Sequence, residues 1–143
     1  MKEEKIIIDA ENATLGRLAS FVAKHSLLGK SVIIINSEKA IIIGNKKNIL
    51  ETYQTKRGLG GPSLHGPFFP SFPEKILKRT IRGMLPHKKE SGRSALKRVV
   101  VYNGVPKEYE NVERIKSGKA KKGMSLEKIS KLLRGEKWKK KIK

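Results

Sequence analysis

The chain contains no cysteine. Disulfides, iron–sulfur clusters and cysteine-based zinc sites are therefore excluded. Acidic side chains are scarce: 13 Asp and Glu stand against 33 Lys and Arg in 143 residues, a net charge of +20. A field of that sign and size attracts polyanions, nucleic acid first among them. No apolar run approaches the roughly 20 residues of a membrane-crossing helix. The charged start, Met1 to Lys5, leads into only three isoleucines, too few for the core of a secretory leader. A soluble, intracellular chain is expected. Hydrophobic residues make up 37% of the sequence, enough to build a core and too many for a wholly disordered chain.

The positive charge is unevenly spread. Residues 1–55 carry a net +2, residues 75–98 a net +8 and residues 114–143 a net +11. This pattern suggests an ordinary folded core with anion-binding zones added to it.

Four short β-branched runs stand out: Ile6–Ile8 ending at Asp9, Val32–Ile35 ending at Asn36, Ala40–Ile43 ending at Gly44, and Val99–Tyr102 ending at Asn103-Gly104. They do not alternate with polar residues, as expected for a sheet covered on both faces. Leu15, Leu18, Ala19, Val22 and Ala23 follow helical spacing. Thr14 can start that helix and Gly29 can end it. Strand 5–9, helix 15–28 and strand 31–36 thus form a βαβ unit, expected to be right-handed. Asn45 can cap a second helix carrying Ile49, Leu50 and Tyr53. Four glycines and four prolines forbid regular structure over residues 57–73. Ser71 and Glu74 have capping-box spacing at the start of a third helix over 72–84, stopped by Pro86. Ser125 can cap a last helix with Leu126, Ile129 and Leu133. Only four residues separate the second and third runs. That is short for a parallel crossover and favours a hairpin, and the spacing alone leaves their pairing open.

The third helix carries the clearest chemical signal. Ile76, Leu77, Ile81 and Met84 fall on one face, with Lys75, Lys78, Arg79 and Arg82 on the other. Like charges at this spacing disfavour a helix by a few tenths of a kcal/mol, and bound phosphate reverses the sign. Lys46 and Lys47 stand in the first turn of the second helix, where the helix dipole disfavours cations unless an anion binds there. Residues 88–98 read as a flexible cationic loop able to track a nucleic-acid backbone. Residues 114–123 and the lysine-rich tail 137–143 read as extensions that order on RNA. Phe68, Phe69 and Phe72 lie among prolines, where anchoring the long loop is favoured over stacking on bases.

Enzyme signals are poor. His25, His65 and His87 have no carboxylate pairing pattern, and the glycines at 58–61 follow a helix rather than a strand. Only Asp9 and Asn36, at strand ends where α/β enzymes place ligands, suggest a nucleotide-handling enzyme. A non-specific nucleic-acid-binding protein is the other alternative. No metal or cofactor is expected.

Several stretches match a known family in order: Ile8-Asp9-Ala10, Leu15–Ser20, Val32–Lys39, Ile43–Lys46, Arg82–Lys88 and Val101–Pro106. The sequence resembles the large-subunit ribosomal protein L-thirteen family, in its archaeal form. Ser37 stands where the family usually has alanine, and the last 30 residues match only loosely. The resemblance implies a three-layer α/β/α sandwich with a four-stranded, mainly parallel sheet. It implies a single core over residues 1–113 and a basic extension with a short helix over 114–143. The implied role is structural: binding and organising large-subunit rRNA beside neighbouring ribosomal proteins in the cytoplasm, with no small-molecule substrate and no membrane. Arg17, Lys39, Lys46, Arg79, Arg82, His87, Lys88 and Arg93 fall on or beside the family motifs. They are candidate RNA contacts, with Lys47, Lys75, Lys78, Lys89 and Lys97 added on charge. Gly16 and Gly83 are expected to permit close approach of backbone.

Overall fold

The computed structural model describes residues 4–58, 70–116 and 123–133. In chain order these hold β1 (Lys5–Asp9), α1 (Leu15–Leu27), β2 (Ser31–Ile35), a 3₁₀ turn (Ser37–Lys39), β3 (Ile41–Ile42), α2 (Lys46–Gly58) and α3 (Pro73–Met84). Then come α4 (Glu90–Lys97), β4 (Val99–Val101), a second 3₁₀ turn (Lys107–Tyr109), β5 (Ile115–Lys116), β6 (Met124–Ser125) and α5 (Leu126–Leu133). The main sheet has the order β4-β2-β1-β5, and every pairing in it is parallel.

Period-two alternation sends the strand side chains to two faces. Ile8, Val32, Ile34 and Val99 join one large core, to which all five helices contribute. Ile7, Ile33 and Ile35 line the other face, packed against Val105 and Tyr109 around the second 3₁₀ turn. The fold is the expected α/β sandwich, with helices on one side of the sheet and a thin cover on the other. Having both faces covered is why the strands read as unbroken apolar runs.

Helix α1 ends as its sequence predicts. The Gly29 N–H donates to Ser26 O and the Lys30 N–H to His25 O, while Gly29 takes φ +95°. This is a Schellman motif, and the positive φ favours glycine. Asn45 caps α2 through Oδ1, which accepts from the Lys47 N–H at 3.0 Å. Ser125 caps α5 through Oγ, which accepts from the Lys128 N–H at 3.4 Å.

Five expectations are corrected. Strand 40–43 does not join the main sheet: Ile41 and Ile42 pair antiparallel with Ser125 and Met124 in a separate two-stranded sheet. Four residues are too few for a parallel crossover, and the 3₁₀ turn they form leads the chain out of the sheet plane. The fourth main strand is β5, two residues long and without a sequence signal of its own. The segment 88–98 is not a loop for most of its length but helix α4, with Gly92 and Ala95 buried and α1 packed alongside. The capping box does not form: Phe72 is the N-cap, Pro73 occupies the first turn, and Glu74 Oε2 accepts from Asn103 Nδ2 at 2.6 Å instead. Met84 shares the apolar side by spacing but, in the last turn of α3, is 44% exposed rather than packed.

Met124, Leu126 and Ile129 are fully or almost fully buried in the same core as β1 and α1. The short helix expected after residue 113 is therefore docked. Most of the irregular stretch 57–73, with His65, Phe68 and Phe69, and all of the tail 137–143 lie outside the described residues.

Gly92 is the tightest point of the α4 packing, since a Cβ there would collide with the carbonyl of Pro86. Gly92→Ala is expected to cost about 1–3 kcal/mol by overpacking. Gly16→Ala, which meets open space, is expected to be neutral or stabilising by up to about 1 kcal/mol. Thermal melts of the two variants check this ordering, and equal melting temperatures would refute it.

Candidate nucleic-acid interface

Helix α3 is strongly amphipathic. Ile76, Leu77 and Ile81 are wholly buried. Lys75, Lys78 and Arg82 are exposed on the opposite side, and Arg79 is half-buried between the faces. The one acid of the helix, Glu74, is held by Asn103. Among the described residues, Lys75, Lys78 and Arg82 have no carboxylate partner, because the ion pairs present are Lys30–Glu4, Arg114–Asp9 and Lys131–Glu127. Lys75 Nζ lies 5.5 Å from the centroid of the Phe72 ring. A row of cations on a rigid helix, without local neutralisation, suits phosphate oxygens arrayed along a backbone.

Other predicted residues gather around this row. Arg17 is exposed in the first turns of α1, which packs along α3. Lys39 is exposed on the first 3₁₀ turn, which packs on both α3 and α5. His87, Lys88 and Lys89 form the turn between α3 and α4, with both lysines exposed and His87 half-buried. Lys97 is exposed at the end of α4.

Two groups behave differently. Arg93, though exposed, turns its guanidinium onto its own chain, donating from Nη2 to Lys88 O at 2.9 Å and from Nε to His87 O at 3.4 Å. It shapes the 87–89 turn and thereby aims its neighbours. Lys46 and Lys47 sit on α2, which packs mainly on α5, and with Asn45 and Leu50 they line a depression of about 390 Å³. Gly16 and Gly83 are both exposed, and among the described residues nothing outside their own helices lies within 4 Å of where a Cβ would stand.

The enzyme-like feature resolves into architecture. Asp9 is buried at the end of β1, and its Oδ1 accepts from the Glu11 N–H at 3.0 Å and from Asn36 Nδ2 at 3.1 Å. Its Oδ2 lies 3.8 Å from Arg114 Nη1, just before β5. Asn36 adopts φ +55°, a conformation that asparagine tolerates better than most residues. Nearby, Ser37 Oγ donates to Asn103 Oδ1 at 2.7 Å and the Gly104 N–H to Glu38 Oε2 at 2.9 Å. These groups satisfy one another and tie four chain segments together. Among the described residues, no cluster of three or more His, Asp or Glu side chains could hold a metal ion. No helix there is long and apolar enough to cross a membrane.

Comparison with known proteins decides the family. The family model for ribosomal protein L13 matches residues 3–108. The chain belongs to that family. It is 54% identical over 104 residues to the large ribosomal subunit protein uL13 of Methanocaldococcus jannaschii, covering 71% of this chain and 76% of that protein. It is 50% identical over 113 residues to the protein of the same name from Methanopyrus kandleri, covering 78% and 70%. Against that of Archaeoglobus fulgidus it is 45% identical over 125 residues, covering 87% and 77%. Membership of the L13 family makes the chain a structural ribosomal protein rather than an enzyme, which fits an Asp9–Asn36 pair occupied in holding the sheet.

Removing the Asp9 carboxylate takes the acceptor from Asn36 Nδ2 and the Glu11 N–H and the ion pair from Arg114. Asp9→Ala is expected to cost about 2–4 kcal/mol. Denaturant titration checks this, and a loss below about 0.5 kcal/mol, the size of an ordinary surface change, would show the network to be incidental.

Proposed function

We propose that this chain binds large-subunit rRNA chiefly through the exposed cations of α3 and helps organise that RNA during assembly of the subunit in the cytoplasm. The observation that carries the reading is the row Lys75, Lys78 and Arg82, rigidly mounted and without carboxylate partners among the described residues. Arg79, Arg17, Lys39 and the His87–Lys89 turn extend the row onto neighbouring elements. Lys97 prolongs it along α4, and Arg93 supports it by shaping the turn. Lys46 and Lys47 form a separate contact at the start of α2. Open space at Gly16 and Gly83 supports close approach of an RNA backbone there. The names of the archaeal relatives support the subunit assigned. Neighbouring large-subunit proteins complete the set of partners.

Phosphate contacts make affinity fall with salt, by a slope of about 0.7–0.9 per contact on a log–log plot. Replacing both Lys78 and Arg82 by Glu is expected to flatten that slope by about 1.4–1.8 and to weaken rRNA-fragment binding by at least about tenfold. The melting temperature should hold, because both side chains are exposed. Filter binding at several salt concentrations reads the slope, and an unchanged slope would remove α3 from the interface.

A further inference from the structure

The outward face of α1 is unlike the rest of the basic surface. At 100° per residue, Arg17, Phe21, Lys24 and Leu28 fall within one narrow stripe opposite the buried residues Leu15, Leu18, Ala19 and Val22. Toward the C-terminal end the stripe becomes apolar: Phe21 is 38% exposed and Leu28 65%, and Leu27 at its border is 46% exposed. The Phe21 ring is not loose. It lies against His25 with centroids 4.3 Å apart, so its position is fixed before any partner arrives. The surrounding charge is mainly positive, with Glu4 already pairing Lys30 at 3.5 Å. Helix α1 contains no acid, Lys24 is exposed within the patch, and Lys30 follows it. Arg98 reaches the same end of α1, donating from Nη1 to Ser26 O at 2.9 Å.

We propose that this end of α1 docks a polypeptide segment in which apolar side chains are flanked by carboxylates. The apolar side chains would cover Phe21, Leu27 and Leu28, and the carboxylates would meet Lys24 and Arg98. Exposed aliphatic carbon favours a polypeptide over RNA, since leucine neither pairs with phosphate nor stacks on a base, and one face of Phe21 is taken by His25. Charge argues against a second copy of this chain, because a two-fold contact would set Lys24 and a net +20 against themselves. The inference rests on the subunit placement proposed above, but it uses a face distinct from the cation row of α3.

The absence of cysteine makes a clean test possible, because Leu28→Cys introduces the only thiol of the chain. The free protein and salt-washed large subunits containing it are treated with a polyethylene-glycol maleimide, and in parallel with benzophenone maleimide followed by irradiation. The expected result is modification at least about tenfold slower in subunits than in the free chain, the scale of an occupied, energetically significant contact. The photoproduct should be a crosslink to another polypeptide that survives ribonuclease. Equal reactivity in both states, a crosslink lost on ribonuclease treatment, or protection already present in the free chain would each overturn the proposal. The double variant Phe21→Ser, Leu28→Ser should melt normally yet leave subunits in high salt about tenfold more readily, and unaltered retention would also count against docking. Absence of the unsubstituted chain from subunits would remove both this inference and the ribosomal placement. Its presence together with an open Leu28→Cys would remove this inference alone.

Discussion

The buried carboxylate of Asp9 is the constraint on which the arrangement turns. A charge this deep is tolerated only when its hydrogen-bonding capacity is met. The Glu11 N–H and Asn36 donate to it, and Arg114 adds an ion pair, the last two from segments 27 and 105 positions away in the sequence. In doing so they fix where β2 ends, where β5 begins, and how the chain leaves the sheet. Asn36 can serve because it tolerates a left-handed backbone, which starts the 3₁₀ turn carrying Lys39 outward. The same turn releases β3 toward β6 and so brings α5 onto the core. One polar cluster at the carboxyl ends of the strands therefore places several of the basic elements relative to one another.

This also explains why position alone misleads in α/β folds. The carboxyl ends of parallel strands are where such folds gather ligands, because loops of different origin converge there. Convergence is equally useful for tying loops together. Asp9, Asn36, Ser37, Glu38, Glu74 and Asn103 are polar residues at a switch-like edge, and each accepts or donates within the protein. A site able to bind a nucleotide would need such groups turned outward and unmet. Here they are consumed, while lysine and arginine on the helices face solvent.

What could be read from residues alone followed from how local each signal was. The runs Ile6–Ile8, Val32–Ile35 and Val99–Val101 each carry several β-branched residues, and α1 and α3 carry unbroken helical periodicity, so their kinds and limits were plain. Strand β5 has two residues and exists because β1 offers an edge and Arg114 an anchor. Nothing local could announce it. Helix α4 was hidden by Gly92 and by its charge. Glycine lowers helix propensity, yet here it is what lets the helix sit against Pro86. The Ser71–Glu74 pattern failed because Asn103, distant in sequence, competes for Glu74. Among the interface candidates the α3 row was legible from its spacing. The inward turn of Arg93 was not, since it depends on the carbonyls of a turn that only the fold creates.

The division of labour on the helical layer follows from the same physics. An excess of +20 opposes compaction unless the like charges are held apart or neutralised by an anion. The interior avoids the problem by excluding lysine and arginine altogether, so that its buried polar groups are Asp9, Asn36 and three serines among the described residues. The cations are pushed outward, and α3 aligns its share on one rigid row. Self-repulsion along such a row is a cost in the free chain that an array of phosphates converts into affinity, so the features that least favour the isolated protein are the ones best explained by RNA. The C-terminal end of α1 does not fit that account, because exposed Leu27 and Leu28 gain nothing from phosphate. A surface whose charges suit one kind of partner and whose hydrophobes suit another is what a protein wedged between RNA and polypeptide requires.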